Sequence, residues 1–118
     1  MKLHPDNPGV VAEHAAARFL QQQGLLLLAR NYSCRFGEVD LILREGHTLV
    51  FVEVRLRSGR SFSSAAESID QRKQQKLLRV AHRYMQENPS YGGCRFDVVL
   101  FQTADCRSPQ WIRNAIEA

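Results

Sequence analysis

Cysteine is scarce in this chain of 118 residues: Cys34, Cys94 and Cys106, an odd number with no close pair. A structural zinc site takes four ligands, usually with Cys-x-x-Cys spacing, so none is supported here. The thiols read as small side chains in a reducing compartment. Long apolar runs are missing too. The longest, Leu25 to Ala29, is far too short to span a bilayer. The N-terminus, Met1-Lys2-Leu3-His4-Pro5, lacks the apolar core of a signal peptide. A cytoplasmic protein without membrane contact is expected. There is no Gly-x-x-x-x-Gly-Lys loop, which leaves nucleotide hydrolysis of that type unsupported. His4, His14, His47 and His82 are scattered without partner spacing. No repeat, low-complexity stretch or linker interrupts the chain, so residues 1–118 read as one domain with a real core.

What is present is ordinary in bulk and unusual in place. Net charge is +4, yet Arg55 to Arg83 alone carries +6, with Arg55, Arg57, Arg60, Arg72, Lys73, Lys76, Arg79 and Arg83 against Glu67 and Asp70. The remainder is therefore acidic, at −2. Such a block suits a polyanionic substrate; taken alone, it is more often a solvated helix face.

The periodicities predict the order αβββαββ, an α/β layered domain. Asp6 or Asn7 caps a first helix, with Pro8 in its first turn and Gly24 at its end. Val11, Ala15, Phe19 and Leu20 are its expected buried face. Strands follow over 25–32, 38–43 and 48–55, then a polar loop over 58–64. A second helix starts near Asp70 and ends before Pro89, with Leu77, Leu78, Ala81, Tyr84 and Met85 inward. Strands over 95–101 and 111–116 complete the set, the last at an edge.

Two of these strands contain carboxylates: Gly37-Glu38-Val39-Asp40-Leu41-Ile42 and Val50-Phe51-Val52-Glu53-Val54-Arg55. An ionised carboxylate inside an apolar sheet is unfavourable unless paired or metal-bound. A turn at Arg44-Glu45-Gly46-His47, with two or four loop residues, sets Asp40 opposite Phe51 and Glu38 opposite Glu53. Glu38, Asp40, Glu53 and Arg55 then share a face, whereas a three-residue loop would flip one strand. Converging carboxylates suit Mg²⁺ or Mn²⁺. The plainer alternative is a salt-bridge cluster with Arg55 and Arg57. Asp97 is a further strand acid, read as paired with Arg95 or with an Arg of the second helix.

These residues, with Phe51-Val52-Glu53-Val54-Arg55-x-Arg57, strongly resemble the YraN family of small bacterial proteins. The resemblance continues through Gly9 and Glu13, Phe62, Ala66-Glu67-x-Ile69-Asp70 with Lys73, and Arg95-Phe96-Asp97-Val98-Val99. It implies the restriction-endonuclease-like fold of PD-(D/E)xK nucleases, similar to Holliday-junction resolvases: a central mixed sheet flanked by helices. It further implies Asp40 and Glu53 as metal ligands, joined by Glu13 from the first helix. Glu38 belongs to the family's Gly-Glu-x-Asp pattern, as a packing residue or as a catalytic one.

Arg55 stands where that motif usually has Lys. Arg stays protonated and cannot act as a base, although it can bind phosphate or orient a water. Lys73 is the residue that could reach the site instead. The expected function is a metal-dependent endonuclease acting on structured or branched DNA, with Glu13, Asp40, Glu53 and Arg55 catalytic. Arg57, Arg60, Arg72, Lys73, Lys76 and Arg79 would bind nucleic acid. Two symmetric cuts need two sites, which makes a homodimer an expected state. The alternatives are a non-catalytic nucleic-acid-binding module on a nuclease fold and an interaction subunit of a DNA-processing assembly.

Overall fold

The structure, a computed structural model, describes residues 7–56, 70–89, 91–102 and 106–116. Arg57, Arg60, Phe62, the segment 66–69 and the expected loop over 58–64 lie outside the described residues.

Asn7 starts helix α1 (Pro8–Gln22) by accepting the Gly9 N–H at 2.8 Å, and Gly24 turns the chain out of it at φ +100°. Three strands follow: β1 (Leu26–Cys34), β2 (Gly37–Glu45) and β3 (Thr48–Leu56). Asp70 caps helix α2 (Gln71–Glu87) by accepting the Lys73 N–H at 2.8 Å. Strands β4 (Gly93–Phe101) and β5 (Gln110–Ile116) complete the described elements.

The sheet order is β1-β2-β3-β4-β5. Every neighbouring pair is antiparallel except β3 and β4, which run parallel. A parallel pair needs a long crossover, and α2 lies on it. Strand alternation sends Ile42, Leu49, Phe51, Phe96, Val98 and Leu100 to one face, where Leu77, Val80 and Ala81 of α2 cover them. Leu41, Leu43, Val50, Val52, Val99 and Phe101 go to the other, under Ala12, Ala16, Ala17 and Leu20 of α1. The result is an α/β domain whose five-stranded mixed sheet carries a helix on each face, the layout that the resemblance implies.

Two expectations need correction. The inward face of α1 is Ala12, Ala16, Ala17 and Leu20, whereas Val11 is 39% exposed and Ala15 and Phe19 are only partly buried. Small side chains let the helix lie close on the sheet, and that approach outweighs the preference for burying Val11. The β2–β3 register also differs by two residues. Glu45 pairs with Thr48 and Leu41 with Val52. The loop is Gly46-His47, because Gly46 at φ +62° supplies the first central position of a two-residue hairpin turn. A shift of two preserves the facing parity of the paired residues 41–45 and 48–52. It brings Asp40, rather than Glu38, level with Glu53, one step beyond the last pair.

Candidate functional site

The β2–β3 ladder stops at Leu41–Val52, and the side chain of Asp40 takes over from it. Its Oδ2 accepts the Val54 N–H at 2.8 Å. A carboxylate thus does a backbone carbonyl's work where the strands part, and this fixes Asp40 beside Glu53. Glu53 lies on a buried strand and is itself only 7% exposed. Its Oε2 pairs with Lys73 Nζ and lies 3.6 Å from Arg55 Nε. Lys73 stands in the first turn of α2, aimed by the Asp70 cap, so the helix start delivers a cation to the strand acid.

Glu13 joins from the other side. It interacts with Asp40 and with Asn31, a β1 residue at the left-handed φ of 51°. Burial raises the Glu13 pKa, partly offset by hydrogen bonding to Asn31 and Asp40. Asp40 is pushed well above the usual carboxylate range. Burial is the main cause and the charge of Glu53 the next; the Val54 N–H opposes them. The three acids therefore form a chain, Glu13 to Asp40 to Glu53, with Lys73 and Arg55 at the Glu53 end. Among the described residues, no group of three His, Cys, Asp or Glu side chains is gathered closely enough to hold a metal ion. The acids meet in pairs.

A cleft of about 380 Å³ opens over Asp40 and Glu53, with Arg72, Lys73 and Lys76 of α2 along its wall and Glu38 at its rim. Glu38 is exposed and also borders a second cleft shared with Glu13 and Asn31. Arg79 lies further along α2, on a separate cleft.

The sequence profile of the Uncharacterised protein family UPF0102 matches residues 12–101. The chain belongs to this family. It is 51% identical to a UPF0102 protein of Nitrosomonas europaea over 111 residues, covering 94% of each chain. It is 48% identical to a UPF0102 protein of Methylobacillus flagellatus, covering 91% of this chain and 94% of the relative. A UPF0102 protein of Methylococcus capsulatus is 48% identical over 98% of this chain and 94% of its own length. The match spans Glu13, Asp40, Glu53, Arg55 and Lys73, so the whole acidic centre of this UPF0102 protein lies within the family's extent.

Asp97 has a different role. It is 1% exposed and receives Arg95 Nε at 3.1 Å, Trp111 Nε1 at 2.9 Å and the Asn114 N–H at 2.8 Å. Arg95 also donates to Glu45, which Arg113 reaches at 2.8 Å. This carboxylate is saturated by donors and bridges a break in the β4–β5 ladder between Phe96 and Val98. It is structural, as its neighbour Arg95 suggested. Sequence reading missed Arg35 and Phe36, which line one cleft with Arg79. No spacing rule links a β1–β2 turn to the middle of a helix. Among the described residues no helix is long and apolar enough to cross a membrane.

Proposed function

We propose that this UPF0102 protein is a metal-dependent endonuclease for structured or branched DNA. The observation that carries the reading is the chain of acids Glu13, Asp40 and Glu53, of which Asp40 and Glu53 open onto a cleft also lined by Arg72, Lys73 and Lys76. Buried like charges raise one another's pKa, and a hard cation relieves that crowding. The donor set is all carboxylate oxygen, which fits Mg²⁺ or Mn²⁺ in kind, with waters and substrate completing the shell. Asp40 and Glu53, with Glu13, would hold such a cation, which would supply Lewis-acid stabilisation and lower the pKa of a water.

The chain's own groups divide the remaining work. Asp40 must be ionised to serve, and the Val54 N–H holds its carboxylate in place. Lys73 supplies the ammonium that Arg55 cannot, from a helix rather than from the strand. Its charge can hold a phosphate oxygen or orient the attacking water. Arg55 remains a fixed cation for phosphate. Arg72 and Lys76 position the backbone without reading sequence. The same Glu53–Lys73 pair favours one alternative, a nucleic-acid-binding module that does not cut, because it neutralises a ligand acid without any metal.

The deciding experiment is single-turnover cleavage of linear, nicked, flap and four-way DNA with Mg²⁺ or Mn²⁺, comparing wild type with Asp40→Asn. Metal-dependent cutting that the variant loses supports the endonuclease. Binding without cutting selects the module.

A further inference from the structure

A second cleft, of about 320 Å³, lies beyond the acidic centre along α2. Its walls are Arg35 and Phe36 from the β1–β2 turn and Arg79, His82, Arg83 and Gln86 from the helix. No carboxylate lines it. Arg83 is shared with Glu87, at 3.2 Å. Arg35 and Arg79 have no carboxylate partner among the described residues, and both are exposed. The Arg35 guanidinium lies over the Phe36 ring, 4.8 Å from its centroid. Phe36 is packed against the core, so it holds that guanidinium as a flat, charged shelf.

We propose that this cleft docks one unpaired nucleic-acid strand leaving the acidic centre. Three features favour that occupant. The first is charge: three arginines and no lining acid make a phosphate site. The second is size. Small-molecule pockets begin at about 300 Å³, so this cleft is of a size to take a nucleotide or so. The third is the shelf, since guanidinium planes stack splayed bases without choosing among them.

The spacing along α2 fits as well. Lys73 sits on Glu53, and Lys76, Arg79 and Arg83 follow it at helical intervals on the way to this cleft. At about 1.5 Å per residue, Lys73 to Arg83 covers about 15 Å. The site deepens the nuclease reading by making the substrate one with an unpaired arm. Its binding claim stands apart from cleavage.

The test is fluorescence anisotropy with labelled oligothymidylate and with a blunt duplex of matched length, over a salt series. Wild type should bind the single strand. The double variant Arg35→Gln, Arg79→Gln should bind it about tenfold more weakly, a loss on the scale of one stacked base. Its log K against log salt slope should shrink by about 0.7 per arginine. Arg35→Lys should keep the slope and lose affinity, because it retains charge and removes the plane. Unchanged single-strand affinity and slope in the double variant would overturn the proposal. So would an equal loss on the blunt duplex, which would make the cleft a general charged surface, or no binding of any strand by wild type. Cleavage run on a splayed-arm duplex separates the two ideas. Cutting that survives in the double variant at wild-type affinity sinks the cleft alone. Arginine-dependent binding without metal-dependent cutting sinks the nuclease alone.

Discussion

Asp40 Oδ2 accepts the Val54 N–H at 2.8 Å where the β2–β3 ladder ends, and Asp97 Oδ1 accepts the Asn114 N–H at 2.8 Å where the β4–β5 ladder is broken. Both aspartates stand in for a missing backbone acceptor. Their surroundings then diverge. Asp97 is met by Arg95 and Trp111, whereas Asp40 is met by Glu13 and Glu53. One is finished as a structural anion by donors; the other is crowded by further acids.

Stability should report this difference directly. Asp97→Ala leaves Arg95 buried beside an empty acceptor site, and breaking such a pair costs about 3–5 kcal/mol. Urea denaturation should show that loss, while nucleic-acid affinity per folded molecule stays unchanged. A loss below about 1 kcal/mol would mean that Glu45 alone satisfies Arg95.

Asp40 should make the metal-free protein less stable as pH rises. Its folded-state pKa, about 8, lies above the ordinary 3.8. Between those values the folded state holds a proton that the unfolded state has released, so stability falls with increasing pH. The contribution is complete below pH 3.8 and is lost as pH climbs through about 8. Melting temperatures taken with a chelator should therefore decline across this window. Asp40→Asn should flatten the decline and melt higher than wild type at the alkaline end. A wild-type curve that rises with pH would contradict the crowding of acids at the site.

Added Mg²⁺ or Mn²⁺ should reverse the alkaline loss by binding the folded state, by about 2.7 kcal/mol at a hundredfold excess over the dissociation constant. Glu53→Gln and Asp40→Asn should each remove most of that gain, along with any cleavage. Calorimetry showing equal metal affinity in all three proteins would place the cation elsewhere.

The roles of Lys73 and Arg55 can be separated by exchange. Lys73→Gln is expected to lower single-turnover cleavage by about a hundredfold, the scale of losing one preorganised charge donor. On the sequence alone, Arg55→Lys is the change that should raise cutting. With Lys73 already on Glu53, that substitution should change the rate by less than about tenfold. A large gain in Arg55→Lys, with little effect of Lys73→Gln, would return the strand position to the centre of the mechanism.

Much of this was legible in the residues. The strand acids stood out because Val, Ile, Leu and Phe surround them, and the parity of the hairpin placed Asp40 and Glu53 on one face even though the loop was set two residues away. The cap at Asp70 followed from side-chain chemistry alone, as did the choice of Asp6 or Asn7 for α1, which falls on Asn7. What the sequence did not disclose depends on packing across space. The face of α1 turned on how near a helix can approach a sheet, which favours Ala12 over Val11. The Lys73–Glu53 contact depends on where the crossover sets α2 down, and so does the cleft that Arg35 shares with Arg79.

The alanine face of α1 has a consequence for the acidic centre. Ala12, Ala16 and Ala17 are essentially inaccessible, and Glu13 is carried between them on the same two turns. The stand-off between α1 and β3 is therefore a spacer one methyl group thick, and it sets how far Glu13 projects toward Asp40. A larger residue at Ala16 would lift the helix and withdraw that carboxylate, although no charged group had been altered. The dimensions of this polar site are thus gauged by the smallest apolar side chains in the core.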